Sequence, residues 1–185
     1  AMVPAQGAWS AEDYLWLMGH ARHRIELADG WIEELPVPSE RHQRLVAYLY
    51  RLLHAWLDPR GGIVLFSALP MRIAERGFRE PDLLALRDRR DPRRGEAYWS
   101  GADLVVEVVS PGNAPHDLVT KRAEYAAAGI GEYWIVDPER ERLIVLALAG
   151  TSYDEHGAFE RGERAASRLL DGLVVDVEAM FGDAS

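Results

Sequence analysis

The run Asp103-Leu-Val-Val-Glu-Val-Val109 is apolar except at its start and at one carboxylate in its middle, Glu107. A strand with one face in solvent would alternate apolar and polar residues, so this run predicts a central strand that is covered on both faces. Because side chains alternate along a strand, Glu107 should share a face with Val105 and Val109. An ionised carboxylate buried there costs several kcal/mol unless a cation compensates it.

The segments on either side of this run alternate between helix and strand patterns. Ser10 and Ser39 precede helical patterns as N-caps, the second helix reaching about Leu57, and a third helix from His116 should end at Gly129. Strands are predicted at 23–27 and 31–35 around the turn Asp29-Gly30, and at 63–66, 71–73, 81–85, 132–137, 142–147 and 173–177, with a hairpin over 153–159. These elements predict one α/β (α+β) domain over residues 1–185, with its core at about 11–181 and a mixed central sheet flanked by helices.

Composition narrows the class of protein. The 185 residues include no cysteine, which excludes disulfides, thiolate zinc sites and a cysteine nucleophile. No apolar stretch is long enough for a membrane span and no signal peptide is recognisable, so we expect a cytoplasmic protein without membrane contacts. The net charge of −9 is not typical of a protein that coats DNA passively.

Positive charge is concentrated in one segment, Arg87 to Arg94, which holds five arginines and two aspartates. A solvated loop is the favoured interpretation of such a segment. The alternative is a clamp on a phosphate backbone, formed by the candidate DNA-binding residues Arg89, Arg90, Arg93 and Arg94.

Lys121 is the only lysine, against twenty arginines. Lysine provides a compact ammonium that can point at a single oxygen, which the planar guanidinium cannot do. Lys121 follows Glu107 by fourteen residues, and a second carboxylate, Asp82, leads into another apolar strand. A buried ion pair would satisfy Glu107 alone, but two acids on adjacent strands repel each other unless a cation lies between them. Hard oxygen ligands of this kind suit Mg²⁺.

A metal between two acids, with a lysine beside it, is typical of phosphodiester cleavage, because the cation stabilises charge on the phosphate and acidifies a water molecule. Lys121 is then the candidate for orienting that water. Asp117 lies four residues before Lys121 and should support it, although a plain surface pair is the alternative. His42, near the start of the second helix, is a candidate for a supporting role, against the alternative of an ordinary hydrogen-bonded histidine.

The ordered set of motifs resembles the bacterial Uma-type family of restriction-endonuclease-like proteins in the PD-(D/E)XK superfamily. The resemblance runs from about Ala11 to Phe181, and the motifs that carry it are Pro81-Asp82, Ala102 to Pro111, Asp117-x-x-x-Lys121, Tyr125-x-x-x-Gly129 and Glu132 to Pro138. It implies a Mg²⁺- or Mn²⁺-dependent endonuclease acting on DNA, with a restriction-endonuclease-like fold.

By this resemblance Asp82 and Glu107 would be the metal-binding carboxylates and Lys121 the catalytic lysine. Glu26 would be a further metal ligand or would support one. The usual lysine of the superfamily lies two residues after the second acid, which is Val109 here, so that its function would have moved to the following helix. Three functions stay open. The first is a DNA endonuclease, for which a homodimer is a candidate assembly because duplex cleavage needs two sites. The others are a non-catalytic nucleic-acid- or protein-binding module and a hydrolase of another phosphodiester.

Overall fold

The structure is a computed structural model that describes residues 3–110 and 116–184, except for the side chain of Asp117. The turn predicted at residues 111–113 lies outside the described residues. The helices are α1 (Ala11–Met18), α2 (Glu40–Leu57), a 3₁₀ turn (Asp58–Arg60), a π-helical segment (His116–Lys121), α3 (Arg122–Ala127) and α4 (Val177–Asp183). The strands are β1 (Ile25–Ala28), β2 (Trp31–Glu34), β3 (Ile63–Phe66), β4 (Met71–Ala74), β5 (Gly77–Arg79), β6 (Leu83–Leu86), β7 (Leu104–Val108), β8 (Glu132–Asp137), β9 (Arg142–Ala149), β10 (Ser152–Glu160), β11 (Arg164–Ala166) and β12 (Val174–Asp176).

A six-stranded mixed sheet in the order β10-β9-β8-β7-β6-β3 forms the centre of the fold. Only β7 and β8 are parallel within it, and the other neighbours are antiparallel. The predicted α+β class and the central position of β7 are therefore confirmed. A second, four-stranded sheet in the order β2-β1-β5-β4 and a two-stranded sheet of β11 and β12 complete the structure.

Both faces of the six-stranded sheet are covered. On one face, Leu45, Leu49 and Leu53 of α2 pack with Val106 of β7 and with α4. The opposite face packs against α3 and the segment after it, and it includes Val105, Val109, Tyr125 and Ile130. All five residues of β7 are buried. The alternation predicted for β7 is confirmed, so Glu107 points towards the face that carries α3.

The local signals predicted most elements, with four differences. Ser10 and Ser39 accept hydrogen bonds from the backbone of Asp13 and His42, as N-caps do. The hairpin expected over 153–159 is wrong: β10 is one continuous strand whose extra residue near Gly157 is absorbed as a β-bulge. The helix from His116 begins as a π-helical segment. The strand predicted at 173–177 is shorter, because Val177 begins α4, and it belongs to a separate small sheet. The elements β5, β11 and α4 were not predicted.

Among the described residues, no helix has both the length and the apolar character that crossing a membrane would require.

Candidate active site

The pairing of β6 with β7 brings the two predicted acids together. These strands are antiparallel, with Leu83 opposite Val106, so continuing the register by one residue places Asp82 opposite Glu107. The Asp82 carboxylate also accepts a hydrogen bond from the backbone N–H of Val108 at 2.8 Å. Two carboxylates from separate segments therefore meet at one end of the six-stranded sheet.

Lys121 reaches the same place from the helical side. Its Nζ donates a hydrogen bond to Glu107 Oε1 at 2.9 Å and lies 3.7 Å from Glu26 Oε1. Lys121 is buried, at the last residue of the π-helical segment. Such wide helical turns are frequent at functional sites, where they re-aim side chains. The structure thus places the ammonium against Glu107 and Glu26, two of the three acids (Asp82, Glu107 and Glu26) that were predicted as metal ligands.

Tyr125 also contacts Glu107, a role that the sequence did not predict. Its hydroxyl donates to Glu107 Oε1 at 2.7 Å, beside the bond from Lys121. Burial and the nearby Glu107 carboxylate raise the pKa of Tyr125 well above its ordinary value, so the hydroxyl keeps its proton and remains a donor. The signal in the sequence was its position one helical turn after Lys121, on the same face.

Arg79 holds a second layer of acids behind Glu107. It is fully buried and donates to Glu26 Oε2 at 2.9 Å, to Glu33, and to both carboxylate oxygens of Glu124 at 2.8 Å. Burial raises the pKa of Glu26, whereas the positive charges of Lys121 and Arg79 lower it. The lowering is the larger effect, so the pKa of Glu26 lies below its ordinary value. Glu26 is therefore ionised, and it helps to fix Lys121.

Glu80 is another buried acid of this site. Its backbone N–H donates to Glu26 Oε1 at 2.8 Å, and its carboxylate accepts from Arg24 at 2.9 Å. Burial raises the pKa of Glu80, and Arg24 offsets only part of this effect.

His42 lies where a supporting residue would have to be. Its Nε2 is 3.1 Å from Asp82 Oδ2, the oxygen that also accepts from Val108. Both of these hydrogen bonds are made to Oδ2 of Asp82, and neither involves Oδ1. The side chain of Asp117, which was predicted to support Lys121, lies outside the described residues.

The three predicted catalytic residues line one cavity. Asp82, Glu107 and Lys121 border a space of about 40 Å³ together with Arg24 and Glu80. This volume exceeds the roughly 10–15 Å³ that one water molecule needs, so a cation with water has room there. The cavity also opens beside the loop after β2, where Pro36 forms part of its wall.

The charge around this cavity favours a cation. Among the described side chains, six carboxylates of the connected network face three cationic side chains: Glu26, Glu33, Glu80, Asp82, Glu107 and Glu124 against Arg24, Arg79 and Lys121. Buried charges are costly unless they are paired. The donor set, oxygen only and rich in negative charge, fits a hard divalent cation such as Mg²⁺ or Mn²⁺.

A second group of metal-ligand type lies nearby and is a poorer fit. Ligand atoms of Glu26, Glu33 and His116 lie within 4.8 Å of one another. However, the Arg79 guanidinium donates to both of these glutamates. A resident cation therefore compensates two of the three members of this group. In the cavity, Lys121 likewise donates to Glu107, but Asp82 accepts its hydrogen bonds from His42 and Val108 at Oδ2 and neither bond involves Oδ1, which favours the cavity at Asp82 and Glu107 as the metal site.

The arginine segment, Arg87 to Arg94, lies away from this cavity. Asp82 precedes β6, whereas residues 87–94 follow it, so the two lie at opposite ends of the strand. Several of these arginines bind local acids: Arg89 contacts Asp58, and Arg93 contacts Asp91 and Asp103. The assignment of Arg89, Arg90, Arg93 and Arg94 to DNA binding stays a prediction.

The mixed sheet with two acids at the end of adjacent strands defines a protein of the restriction-endonuclease-like fold. The chain belongs to the Uma2 family, described as "Putative restriction endonuclease", whose match covers residues 11–178. A solved structure from Anabaena variabilis ATCC 29413, titled a putative nuclease belonging to DUF820, is similar in fold with a TM-score of 0.74. The two chains share 15% sequence identity over 92% of this chain and 98% of that one. No curated protein matches the sequence.

Replacing Tyr125 with Phe tests the positioning of Glu107. We expect Tyr125→Phe to weaken binding of Mn²⁺ by about tenfold, because Glu107 loses a donor that fixes its orientation, and to lower the free energy of unfolding by about 1–2 kcal/mol. Titration calorimetry and chemical unfolding measure the two effects.

Tyr153→Phe is the matched control, because it also removes a buried tyrosine hydroxyl, one that donates to the backbone of Ile130 at 2.7 Å. It should lose similar stability and keep its affinity for Mn²⁺. Equal losses of affinity in both variants would show that Tyr125 has no special role at the site.

Proposed function

We propose that this chain is a Mg²⁺- or Mn²⁺-dependent endonuclease that hydrolyses phosphodiester bonds in DNA. Asp82 and Glu107 would hold the cation, with Glu26 behind them and Lys121 as the catalytic lysine. The observation that carries the proposal is the convergence of Asp82, Glu107 and Lys121, from three separate elements, on one small cavity. Membership of the Uma2 family and the fold support a nuclease in general terms.

The fixed donors and acceptors of the site define what the chain itself contributes. A divalent cation bound there would supply positive charge to the scissile phosphate and favour ionisation of the attacking water. Glu107 presents a carboxylate whose orientation is set by Lys121 and Tyr125. Asp82 is held by His42 and by the backbone N–H of Val108. The acids are thus pre-positioned, which lowers the cost of reorganisation when charge develops.

Lys121 is the residue that would act on the reacting groups. Its ammonium is held between Glu107 and Glu26, and it lines the cavity in which the phosphate would sit. From this position it donates a hydrogen bond to a phosphate oxygen or to the attacking water. Arg24, on the wall of the same cavity, provides a second positive charge for the phosphate.

The acidic net charge of −9 favours an alternative, a non-catalytic module that keeps the fold for nucleic-acid or protein binding. Such a module has no requirement for a buried lysine between two acids, and for this reason we favour the enzyme. A homodimer would be needed if both strands of a duplex are cut, since each chain provides one such site.

The experiment is incubation of the purified protein with supercoiled plasmid in the presence of Mg²⁺, Mn²⁺ or a chelator. We expect nicked or linear plasmid with either metal and intact plasmid with the chelator. Single-stranded DNA and RNA, offered in parallel, identify the preferred nucleic acid. Absence of cleavage of every substrate, together with metal-independent DNA binding, would favour the binding module.

The arginine segment provides a separate prediction. Arg90 and Arg94 are exposed, so replacing both with Gln leaves the ion pairs of Arg89 and Arg93 in place. If the segment contacts DNA, binding should weaken, and the slope of log K against log salt should fall by about 2. Fluorescence anisotropy at several salt concentrations measures this. An unchanged slope would mean that the segment is solvated surface.

A further inference from the structure

A second cavity lies next to the site and shares Asp82 with it. It has a volume of about 250 Å³ and lies between α2 and the end of the edge strand β3. Its walls include His42, Val46 and Tyr50 of α2 and the residues Phe66 and Ser67 at the end of β3. We call this cavity the α2–β3 groove. A ligand that reacts at Asp82 would therefore extend directly into the groove.

The groove presents an aromatic surface that the fold itself does not need. Phe66 is 54% exposed although it ends a strand of the central sheet. The ring of Tyr50 meets it edge to face, with centroids 5.2 Å apart and planes at 83°, and this contact holds the Phe66 ring in a defined orientation. An exposed aromatic ring that is fixed in this way is suited to stacking with a flat ligand.

The charges of the two cavities differ. Among the described residues that line the α2–β3 groove there is no arginine or lysine, and the polar side chains at its walls are those of His42, Gln43, Tyr50, Ser67 and Asp82. By contrast, the smaller cavity has Arg24 and Lys121 on its walls. A phosphate is therefore favoured in the smaller cavity, whereas a neutral ring with polar edges is favoured in the groove.

We propose that the α2–β3 groove binds the unpaired base of a nucleotide next to the scissile phosphate, with Phe66 as the stacking surface. This inference rests on the proposed nuclease function and names its substrate class: single-stranded nucleic acid, or a duplex with an unpaired nucleotide at the cleavage point. In an intact duplex the base would first have to leave its stack, which costs free energy. Gln43 and Ser67 are positioned to contact the edge of the base.

The groove volume agrees with a ligand of this size. About 250 Å³ is below the roughly 300–1,000 Å³ of cavities that bind drug-sized molecules. The groove therefore suits a single base better than a stacked base pair.

The test uses a short single strand that contains 5-iodouracil, which forms a covalent bond with a stacked aromatic side chain when it is irradiated. The full chain is mixed with this strand in Ca²⁺, irradiated, digested and mapped by mass spectrometry. We expect the cross-link at Phe66 or Tyr50. A cross-link confined to residues outside the groove would overturn the proposal.

Variants provide the second measurement. Phe66→Ala and Phe66→Leu should each bind the single strand about tenfold more weakly, as expected for the loss of one base stack, and should bind intact duplex as before. Trp16→Leu is the control, because Trp16 is an aromatic residue of similar exposure on α1. Thermal unfolding checks that each variant is folded.

The outcomes separate this proposal from the proposed function. Cleavage of single strands by wild type and by both Phe66 variants at equal rates and affinities would overturn the groove proposal and leave the nuclease intact. Binding of the single strand with a cross-link at Phe66, but without cleavage under any metal, would support the groove and contradict the nuclease. Failure to bind any nucleic acid would overturn both.

Discussion

Glu107→Gln is expected to abolish DNA cleavage, with a loss of at least about 10³-fold in rate. The amide keeps the size of the side chain but removes the charge that would hold the metal. The amide also carries an NH₂ donor next to two other donors, because Lys121 and Tyr125 both donate to Oε1 in the wild type. Metal binding should be lost as well. At a Mn²⁺ concentration of 100 times Kd, wild type should gain about 2.7 kcal/mol of stability, and the variant should gain none.

Glu132→Gln is the matched control for this experiment. Glu132 is a fully buried carboxylate at the start of β8, and it accepts hydrogen bonds from Ser167 and from the backbone of Arg168 and Leu169. Its replacement should lower stability by about 1–3 kcal/mol and leave metal binding and cleavage unchanged at temperatures where the variant is folded. Cleavage by Glu107→Gln at the wild-type rate would refute the assignment of Glu107.

Lys121→Arg is expected to reduce cleavage by about 10²-fold or more although the positive charge is kept. The guanidinium is larger and planar, and it cannot occupy the position of a compact ammonium 2.9 Å from Glu107 Oε1 without displacing its neighbours. Because the site is buried, the larger group should also cost about 1–3 kcal/mol of stability. Single-turnover cleavage and chemical unfolding measure both changes.

Arg122→Lys is the control for Lys121→Arg. Arg122 is the next residue along the helix, is only partly buried and donates to the backbone of Tyr153 at 2.9 Å. The reverse exchange at this position should leave the cleavage rate within about twofold of wild type. If Lys121→Arg also keeps full activity, positive charge alone suffices, and the case for a specific lysine is lost.

Much of the fold could be predicted because its signals are local. The N-caps Ser10 and Ser39, the turn at Asp29-Gly30 and the apolar run of β7 each depend on a few neighbouring residues. The division into three sheets could not be predicted, because strand pairing depends on contacts between distant segments. The single strand β10 was misread as a hairpin because Gly157 is also compatible with a bulge.

Some residues of the candidate site could be singled out for the same reason. Asp82, Glu107 and Lys121 stand out in the sequence by residue type and context, but their proximity follows from the β6–β7 register and from the π-helical segment. Neither feature leaves a clear pattern in the sequence. The role of Arg79 was missed because an arginine among twenty does not stand out, and only the structure shows it bound to three glutamates.

The most direct measurement of the central claim is a crystal structure of the protein grown with Mn²⁺, with the ion located by its anomalous scattering. We expect one strong peak in the cavity between Asp82 and Glu107, with Lys121 beside it. A peak at Glu26, Glu33 and His116 instead, or no peak at a Mn²⁺ concentration that supports cleavage, would contradict it.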